Sequence, residues 1–117
     1  MAFNNRDDHP KNVAWLMSRE GQWQLSPAYD VTFCEGTGGY HQMDVIGEAM
    51  AVDRRALLRL AEEAEVSPQR VGQIIDGIIE VANQFSAIAE EIVPQAISPA
   101  TLRMIQGRIG QNVGLLR

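Results

Sequence analysis

The chain has 117 residues, of which 45% are hydrophobic, enough for the core of one modest domain. Its 15 acidic and 10 basic residues give a net charge of -5, which argues against a protein whose main task is to bind nucleic acid or an anionic membrane. The single cysteine, Cys34, excludes an internal disulfide and a cysteine-rich zinc site. Because the sequence shows no apolar signal core and no apolar run of membrane-spanning length, we expect a cytoplasmic location and no membrane partner.

The first half of the sequence predicts a β-hairpin. Residues 13–17 and 23–25 are short apolar or alternating runs, and residues 18–22 between them are typical of a turn. The hairpin carries Trp15 and Trp23, which we expect to pack together or to cover the neighbouring loop, because indole rings are usually buried.

Two further segments follow the hairpin. Residues 34–41 are rich in glycine and predict a mobile loop. Residues 43–46 predict another short strand.

The second half of the sequence predicts helices. Apolar residues recur there at spacings of three and four, and each predicted helix has a capping residue at its start. We expect the first helix to end at about Ala64, the second at about Ile92 and the third near the C-terminus. Their predicted N-terminal caps are Asp53, Ser67 and Ser98.

Residues 5–12, Asn-Arg-Asp-Asp-His-Pro-Lys-Asn, hold the densest set of reactive side chains. Asp7 and Asn12 have the D-x-x-x-x-N spacing of a kinase catalytic loop, in which the aspartate orients the substrate hydroxyl and the asparagine binds magnesium. Asp30, beyond the hairpin, matches the second metal-binding aspartate, and Lys11 would neutralise charge on the transferred phosphoryl group. The spacing is also common by chance, so a solvated acidic turn is the alternative.

Residues 5–12 and residues 25–30, Leu-Ser-Pro-Ala-Tyr-Asp, together resemble the C-terminal part of HipA-like toxin kinases. That family carries a D-x-H-x-K-N catalytic loop, a hairpin and then a P-x-Y-D motif. The segment 41–43 and the closing helices are also similar. The resemblance implies a mainly α fold with a small β-hairpin, corresponding to the helical C-terminal lobe of a protein-kinase-like fold.

The resemblance also implies a role for each candidate site residue. Asp7 would be the catalytic base, and His9 and Lys11 would support the loop and the phosphates. Asn12 and Asp30 would bind Mg²⁺, so that Mg²⁺ and ATP are the implied cofactors. Members of the family are serine/threonine kinases of toxin–antitoxin modules, which phosphorylate a protein substrate and are restrained by a HipB-like antitoxin.

The chain starts almost at the catalytic loop, so we expect the ATP-binding N-lobe to be missing. The glycine-rich stretch 36–39 cannot replace that lobe, because it follows Asp30 and lacks the strand–loop–helix context of a phosphate site. We therefore expect residues 1–117 to form a single domain. Residues 1–52 would provide the catalytic loop, the hairpin and the metal-binding segment, and residues 53–117 a helical bundle.

We expect this kinase fragment to be inactive alone, either as a remnant or as one part of a split kinase completed by a separate N-lobe chain. The apolar surface that the missing lobe would cover makes self-association an additional expectation.

Other classes of function stay open at this stage. One alternative is a non-catalytic interaction module. Another is a helix-turn-helix DNA-binding domain in residues 60–75, in which Gln69, Arg70 and Gln73 would contact base edges, although the nearby glutamates oppose the phosphates. A zinc site of His9, Cys34 and His41 matches no common ligand spacing.

Overall fold

The structure is a computed structural model, and it describes residues 1–92 and 94–117. In these residues the chain is mainly helical, with a small antiparallel hairpin, as the sequence predicts. Two 3-10 turns, Pro10–Asn12 and Thr37–Gly39, lie on either side of the hairpin. The strands are β1, Trp15–Met17, and β2, Trp23–Leu25, and the helices are α1, Arg54–Glu63, α2, Pro68–Asn83, α3, Phe85–Ile92, and α4, Pro99–Leu116.

The three predicted N-terminal caps are confirmed. The Asp53 carboxylate accepts a hydrogen bond from the Ala56 amide at 2.8 Å, so α1 begins directly after it. The hydroxyls of Ser67 and Ser98 cap α2 and α4 in the same way, each followed by a proline in the first turn. Local capping chemistry therefore sets where these helices begin.

The prediction that the second helix continues to about Ile92 is wrong. Helix α2 ends at Asn83, and the chain turns at Gln84 before α3 begins at Phe85. The turn brings the Phe85 ring against Phe3, with the ring centroids 6.2 Å apart in an edge-to-face arrangement. The helical spacing of apolar residues continues from α2 into α3 because both helices pack on α4.

The core lies between α2, α4 and the N-terminal residues. One buried cluster joins Ala2 to Ile75 and Leu116, and a second joins Ala82 to Ile109 and Val113. Phe3 and Ile79 pack against both clusters and so connect them. At the surface, the Arg54 guanidinium contacts both Asp76 carboxylate oxygens, at 2.6 and 3.3 Å, and ties α1 to α2.

The hairpin forms where the sequence predicts it, but its tryptophans are exposed. Trp15 pairs with Leu25 and Met17 with Trp23, which places all four side chains on one face of the sheet. Trp15 is 62% and Trp23 65% exposed, so the expectation that the indoles are buried is wrong. The physical reason is that the sheet has only two strands, and none of the described helices packs closely on it.

The predicted strand at residues 43–46 is also absent from the structure. Val45 forms only an isolated antiparallel bridge with Glu48, because Ile46 and Gly47 have positive φ angles and turn the chain back at once. Within the described part of the chain, none of the helices combines the length and the apolar composition that crossing a bilayer requires.

Candidate functional site

The segment that leads into the candidate catalytic loop is anchored by Asn4, whose side chain is fully buried (0% exposed). Its amide nitrogen donates to the Cys34 carbonyl at 3.2 Å. Its amide oxygen accepts from the Arg6 guanidinium and from the Asn112 amide, each at 3.1 Å. The backbone of Asn4 has a φ of 55°, in the left-handed region that asparagine adopts more readily than most residues. Asn4 thus joins three separate parts of the chain.

Backbone hydrogen bonds lay this segment beside the residues that follow Asp30. The Cys34 amide donates to the Asn4 carbonyl at 2.9 Å, and the Arg6 amide donates to the Cys34 carbonyl at 3.2 Å. Together they form an isolated parallel bridge between Asn5 and Cys34. The start of the loop and the chain after Asp30 are therefore held as neighbours.

Helix α4 holds both segments in place through hydrogen bonds and an ion pair. The Asn112 amide donates to the Met1 carbonyl at 3.1 Å, in addition to its bond with Asn4. One turn earlier, the Arg108 guanidinium forms an ion pair with Glu35 at 3.0 Å. The C-terminal helix therefore positions the site, although none of the predicted site residues belongs to it.

The loop itself is closed by two asparagine side chains. The Asn12 amide nitrogen donates to the Asp7 carbonyl oxygen at 3.0 Å, and the Asn5 side-chain oxygen accepts from the Asp7 amide at 3.2 Å. The Asp7 carboxylate is exposed, and within the described residues neither it nor the Asn12 side-chain oxygen takes part in a hydrogen bond. The hydrogen bonds of the loop thus fix its backbone, and these side-chain oxygens of Asp7 and Asn12 stay available for other contacts.

The second motif is attached to this loop. The Tyr29 hydroxyl donates to the Lys11 carbonyl at 2.6 Å, and the Asn5 amide donates to the Asp30 carbonyl at 3.4 Å. Asp30 itself is exposed and has a φ of 54°. The structure therefore brings the loop that carries Asp7, Lys11 and Asn12 together with Asp30, across the intervening hairpin.

His9 has a different environment from the rest of the loop. Its ring nitrogen Nδ1 is buried and has no hydrogen-bond partner among the described residues. Lys11 is exposed, and it is the backbone of this residue, through the bond from Tyr29, that links the two motifs.

Asp8 is a structural anchor that sequence reasoning missed. One of its carboxylate oxygens contacts the ring of the buried His41 at 2.9 Å, and the other accepts from the Gln42 amide at 2.8 Å. Partial burial acts to raise the pKa of Asp8, but the hydrogen bonds from Gln42 and His41 outweigh it and hold the pKa below its usual value. The only sequence signal was the position of His41 and Gln42 in a segment similar to the HipA-like family.

The glycine-rich loop contacts Arg6 at Gly36 and Gly39, and the mobility that the sequence predicts for this loop stays a prediction. Gly36 has a φ of 69°, and a Cβ atom there would lie 2.5 Å from the Tyr40 carbonyl oxygen and 2.8 Å from the Arg6 Cβ. Only glycine fits this position without a shift of the backbone. The loop therefore packs against the segment that carries Arg6.

The oxygen donor atoms of the candidate site suit magnesium, which does not need a preformed cage of protein ligands. Among the described residues, no three or more His, Cys, Asp or Glu side chains converge as a metal site, and the zinc interpretation of His9, Cys34 and His41 gains no support. Magnesium usually takes one or two protein oxygens and completes its shell with phosphates and water. A carboxylate from Asp30 and an amide oxygen from Asn12 fit that requirement.

Helices α1 and α2 form the pair that the helix-turn-helix alternative requires. Glu65 has a φ of 55° in the turn between them, the conformation in which glycine is usual. Gln69, Arg70 and Gln73 are exposed on α2, but the exposed acidic side chains of the preceding turn lie close to them in the chain. This charge opposes binding to phosphates.

The family model of the HipA-like C-terminal domain matches residues 1–86. The matched range contains the candidate loop, the hairpin, Asp30 and helices α1 and α2, whereas α4, which supplies Asn112, lies beyond it. The chain therefore belongs to the family of HipA-like C-terminal domains. No curated protein and no solved structure matches it.

Proposed function

We propose that this chain is the part of a HipA-like serine/threonine kinase that carries the catalytic loop and the magnesium-binding residues, in a helical C-terminal lobe of the protein-kinase type. The observation that carries the proposal is the attachment of the two motifs to each other. The bonds from Tyr29 to Lys11 and from Asn5 to Asp30 join segments that the hairpin separates in the sequence.

Each residue has a distinct role in this proposal. Asp7 acts as the catalytic base, because its exposed carboxylate accepts the proton of a substrate hydroxyl while the Asn12 side chain fixes its backbone. Asn12 and Asp30 hold Mg²⁺ through oxygen atoms, and Lys11 supplies positive charge to the phosphates. His9 supports the loop from its partly buried position. When bound, Mg²⁺ neutralises charge on the phosphates of ATP.

The nucleotide lobe of the complete kinase would come from outside this sequence. The glycine-rich stretch of the described chain folds against Arg6 as a 3-10 turn and offers no strand–loop–helix phosphate site. We therefore propose that an N-lobe outside residues 1–117 completes the site and that residues 1–117 alone transfer no phosphate. A cytoplasmic toxin–antitoxin role, a HipB-like antitoxin and a protein substrate belong to the same proposal.

The second candidate function is a non-catalytic interaction module. It is favoured by the exposed apolar face of the hairpin, where Trp15, Trp23 and their two paired neighbours are all in contact with solvent. The two candidates differ in one respect that an experiment detects directly. Only the kinase proposal predicts that magnesium and nucleotide bind at the joined motifs.

The experiment is a titration of the ¹⁵N-labelled chain with Mg²⁺ and ATP, followed by NMR. We expect chemical-shift changes centred on Asp7, Asn12 and Asp30, and their loss in Asp30→Asn, which removes the charge and keeps the shape of the side chain. Glu63→Gln is the matched control, because it removes one exposed charge from α1 and should leave the response intact.

A chain that shows no response at millimolar ligand, or a response that Asp30→Asn leaves unchanged, would contradict the kinase proposal. A phosphotransfer assay on the same samples tests the second part. Transfer to any protein by the isolated chain, lost in Asp7→Ala, would overturn the claim that the chain is inactive alone.

A further inference from the structure

A small apolar cavity lies beside the segment that follows Asp30, and we call it the phenylalanine pocket. It has a volume of about 200 Å³. All three phenylalanines of the chain line it: Phe3, Phe33 and Phe85. Ile105 and the buried Ile109 of α4 also line it. The pocket thus collects the aromatic residues of three segments that lie far apart in the sequence.

The size and lining of the phenylalanine pocket suit one apolar side chain. A cavity of about 150 Å³ with aliphatic and aromatic walls holds benzene in another protein. The phenylalanine pocket is larger, so a phenyl or isobutyl group fits into it. Because the Phe3 and Phe85 rings already meet edge to face, with their centroids 6.2 Å apart, packing within the chain sets this wall of the pocket.

The phenylalanine pocket adjoins the candidate site. Val31 and Thr32, which line it, directly follow Asp30 in the chain. Asn5 lines it too, and the side chain of Asn5 accepts from the Asp7 amide and donates to the Asp30 carbonyl. Because neighbouring residues of a chain lie about 3.8 Å apart, one short peptide reaches both the pocket and the candidate site.

The segment of residues 31–33 offers unpaired backbone groups beside the pocket. Within the described part of the chain, none of its N–H and C=O groups takes part in a hydrogen bond, whereas Cys34, the next residue, pairs with Asn4 and Arg6. Unpaired backbone next to an apolar pocket suits an extended peptide, whose main chain forms the hydrogen bonds and whose side chain enters the pocket. A nucleotide base would instead need polar partners inside the pocket, where the lining side chains are almost all apolar.

We propose that residues 31–33 and the phenylalanine pocket bind an extended segment of the protein substrate, with an aromatic or leucine side chain in the pocket. This inference rests on the proposed kinase function and adds the class of substrate: a protein whose phosphoacceptor serine or threonine lies within a few residues of a large apolar side chain. Binding in the pocket would hold the substrate hydroxyl near Asp7, so that its position does not depend on chance encounter.

Titration of the whole chain with two peptides, followed by NMR, tests the proposal. One peptide has a central serine with a phenylalanine two residues before it and another two residues after it, and the second peptide has alanine at both places. We expect the phenylalanine peptide to shift the methyl signals of Ile105 and Ile109 and the amide signals of residues 31–33. It should bind at least tenfold more tightly than the alanine peptide, because a buried phenyl ring favours binding by about that factor or more.

A charge at the pocket provides the matched variants. Val31→Asp should weaken binding of the phenylalanine peptide at least threefold, because it places a carboxylate beside the apolar side chain. Val31 is exposed, so the variant should fold, and circular dichroism checks this. Val66→Asp is the control, since it adds the same charge at another exposed valine, in the turn between α1 and α2, and should bind as the wild type does.

A chain that binds neither peptide at millimolar concentration, or binds both equally, would overturn the proposal. So would ATP, if it shifted the methyl signals of the pocket and the phenylalanine peptide did not. Methyl shifts without amide shifts at residues 31–33 would overturn the extended binding mode. The kinase proposal fails separately: a chain that binds the phenylalanine peptide without responding to Mg²⁺ and ATP keeps the peptide site and loses the kinase assignment, and the converse result overturns only the pocket.

Discussion

The helical half of the chain and the half that carries the candidate site are held together by different forces. The helices bury aliphatic side chains such as Ile75, Ile109 and Val113 against one another. In the first half, apolar residues such as Ala2 and Phe3 also pack on the helices, but the segments of the site are joined to one another by polar residues, of which Asn4 and His41 are buried. The comparison teaches that apolar burial stabilises the bundle, whereas hydrogen bonds between distant residues set the geometry of the site.

This difference has a physical consequence for mutation. Removing an apolar side chain leaves a cavity and lowers the free energy of unfolding of the whole domain. Removing one polar partner leaves another buried polar group without a hydrogen bond. The resulting change in structure should be concentrated around that group. Variants in the two halves should therefore differ in how far their effects spread.

The largest effect is expected from Ile109→Ala in the core of α4. It should lower the free energy of unfolding by about 3 kcal/mol, because a buried Ile loses both its transfer energy and its packing contacts. Urea unfolding followed by circular dichroism measures this. Ile92→Ala, at an exposed position of α3, is the matched control and should change stability by less than about 0.5 kcal/mol. Equal losses in the free energy of unfolding in the two variants would show that apolar burial does not stabilise the helical half.

Asn4→Ala should have the next largest effect, a loss of about 2 kcal/mol in the free energy of unfolding, since it leaves buried partners on Asn112 and Cys34 unsatisfied. Asn4→Gly separates hydrogen bonding from backbone strain, because glycine adopts the positive φ angle without cost. We expect Asn4→Gly to be destabilising as well. If it were as stable as the wild type by urea unfolding, the polar contacts of Asn4 would not be what supports the site.

Asn112→Ala should cost less, about 1 kcal/mol, but its effect should reach across the molecule. Because Asn112 bonds to Met1 and Asn4, its loss should shift the NMR signals of residues 4–12 and 34–36. Gln106→Ala is a control on the same helix, because its exposed side chain forms no hydrogen bond with the described residues. Shift changes confined to α4 would show that this helix does not position the site.

The smallest effect concerns pH and Asp8. Because the pKa of Asp8 is depressed in the folded chain, its contribution to stability is present above the unfolded pKa, near 4, and is lost as the pH falls through the folded value. Asp8→Asn should therefore flatten the decline in stability on acidification, measured by urea unfolding between about pH 5 and 3. Identical pH profiles for the variant and the wild type would rule out this role of Asp8.

The sequence predicts the helix starts well because the information is local. Asp53, Ser67 and Ser98 each cap the residue three positions ahead, and that spacing is visible in the sequence. The break at Gln84 escapes prediction because the apolar periodicity continues through it. The exposure of Trp15 and Trp23 escapes it because nothing in a hairpin's own sequence tells whether another element will cover its face.

The candidate site likewise has features that the sequence predicts and features that it does not. The positions of Asp7, Asn12 and Asp30 could be predicted because a motif with fixed spacing carries them. Their supports could not, since Asn4 meets Asn112 across 108 positions of the chain and Asp8 meets His41 across 33. No local pattern marks such pairs, and only the fold brings them together.

The central claim is that two motifs separated by the hairpin form one metal-binding site. Mn²⁺ added with ADP tests it most directly, because this paramagnetic substitute for Mg²⁺ broadens the NMR signals of nearby nuclei. The account predicts that the signals of Asp7, Asn12 and Asp30 broaden together at low Mn²⁺ concentration, and that Mg²⁺ reverses the effect. Broadening at only one of the two motifs, or only at exposed acidic residues of the helices such as Glu63 and Glu90, would contradict it.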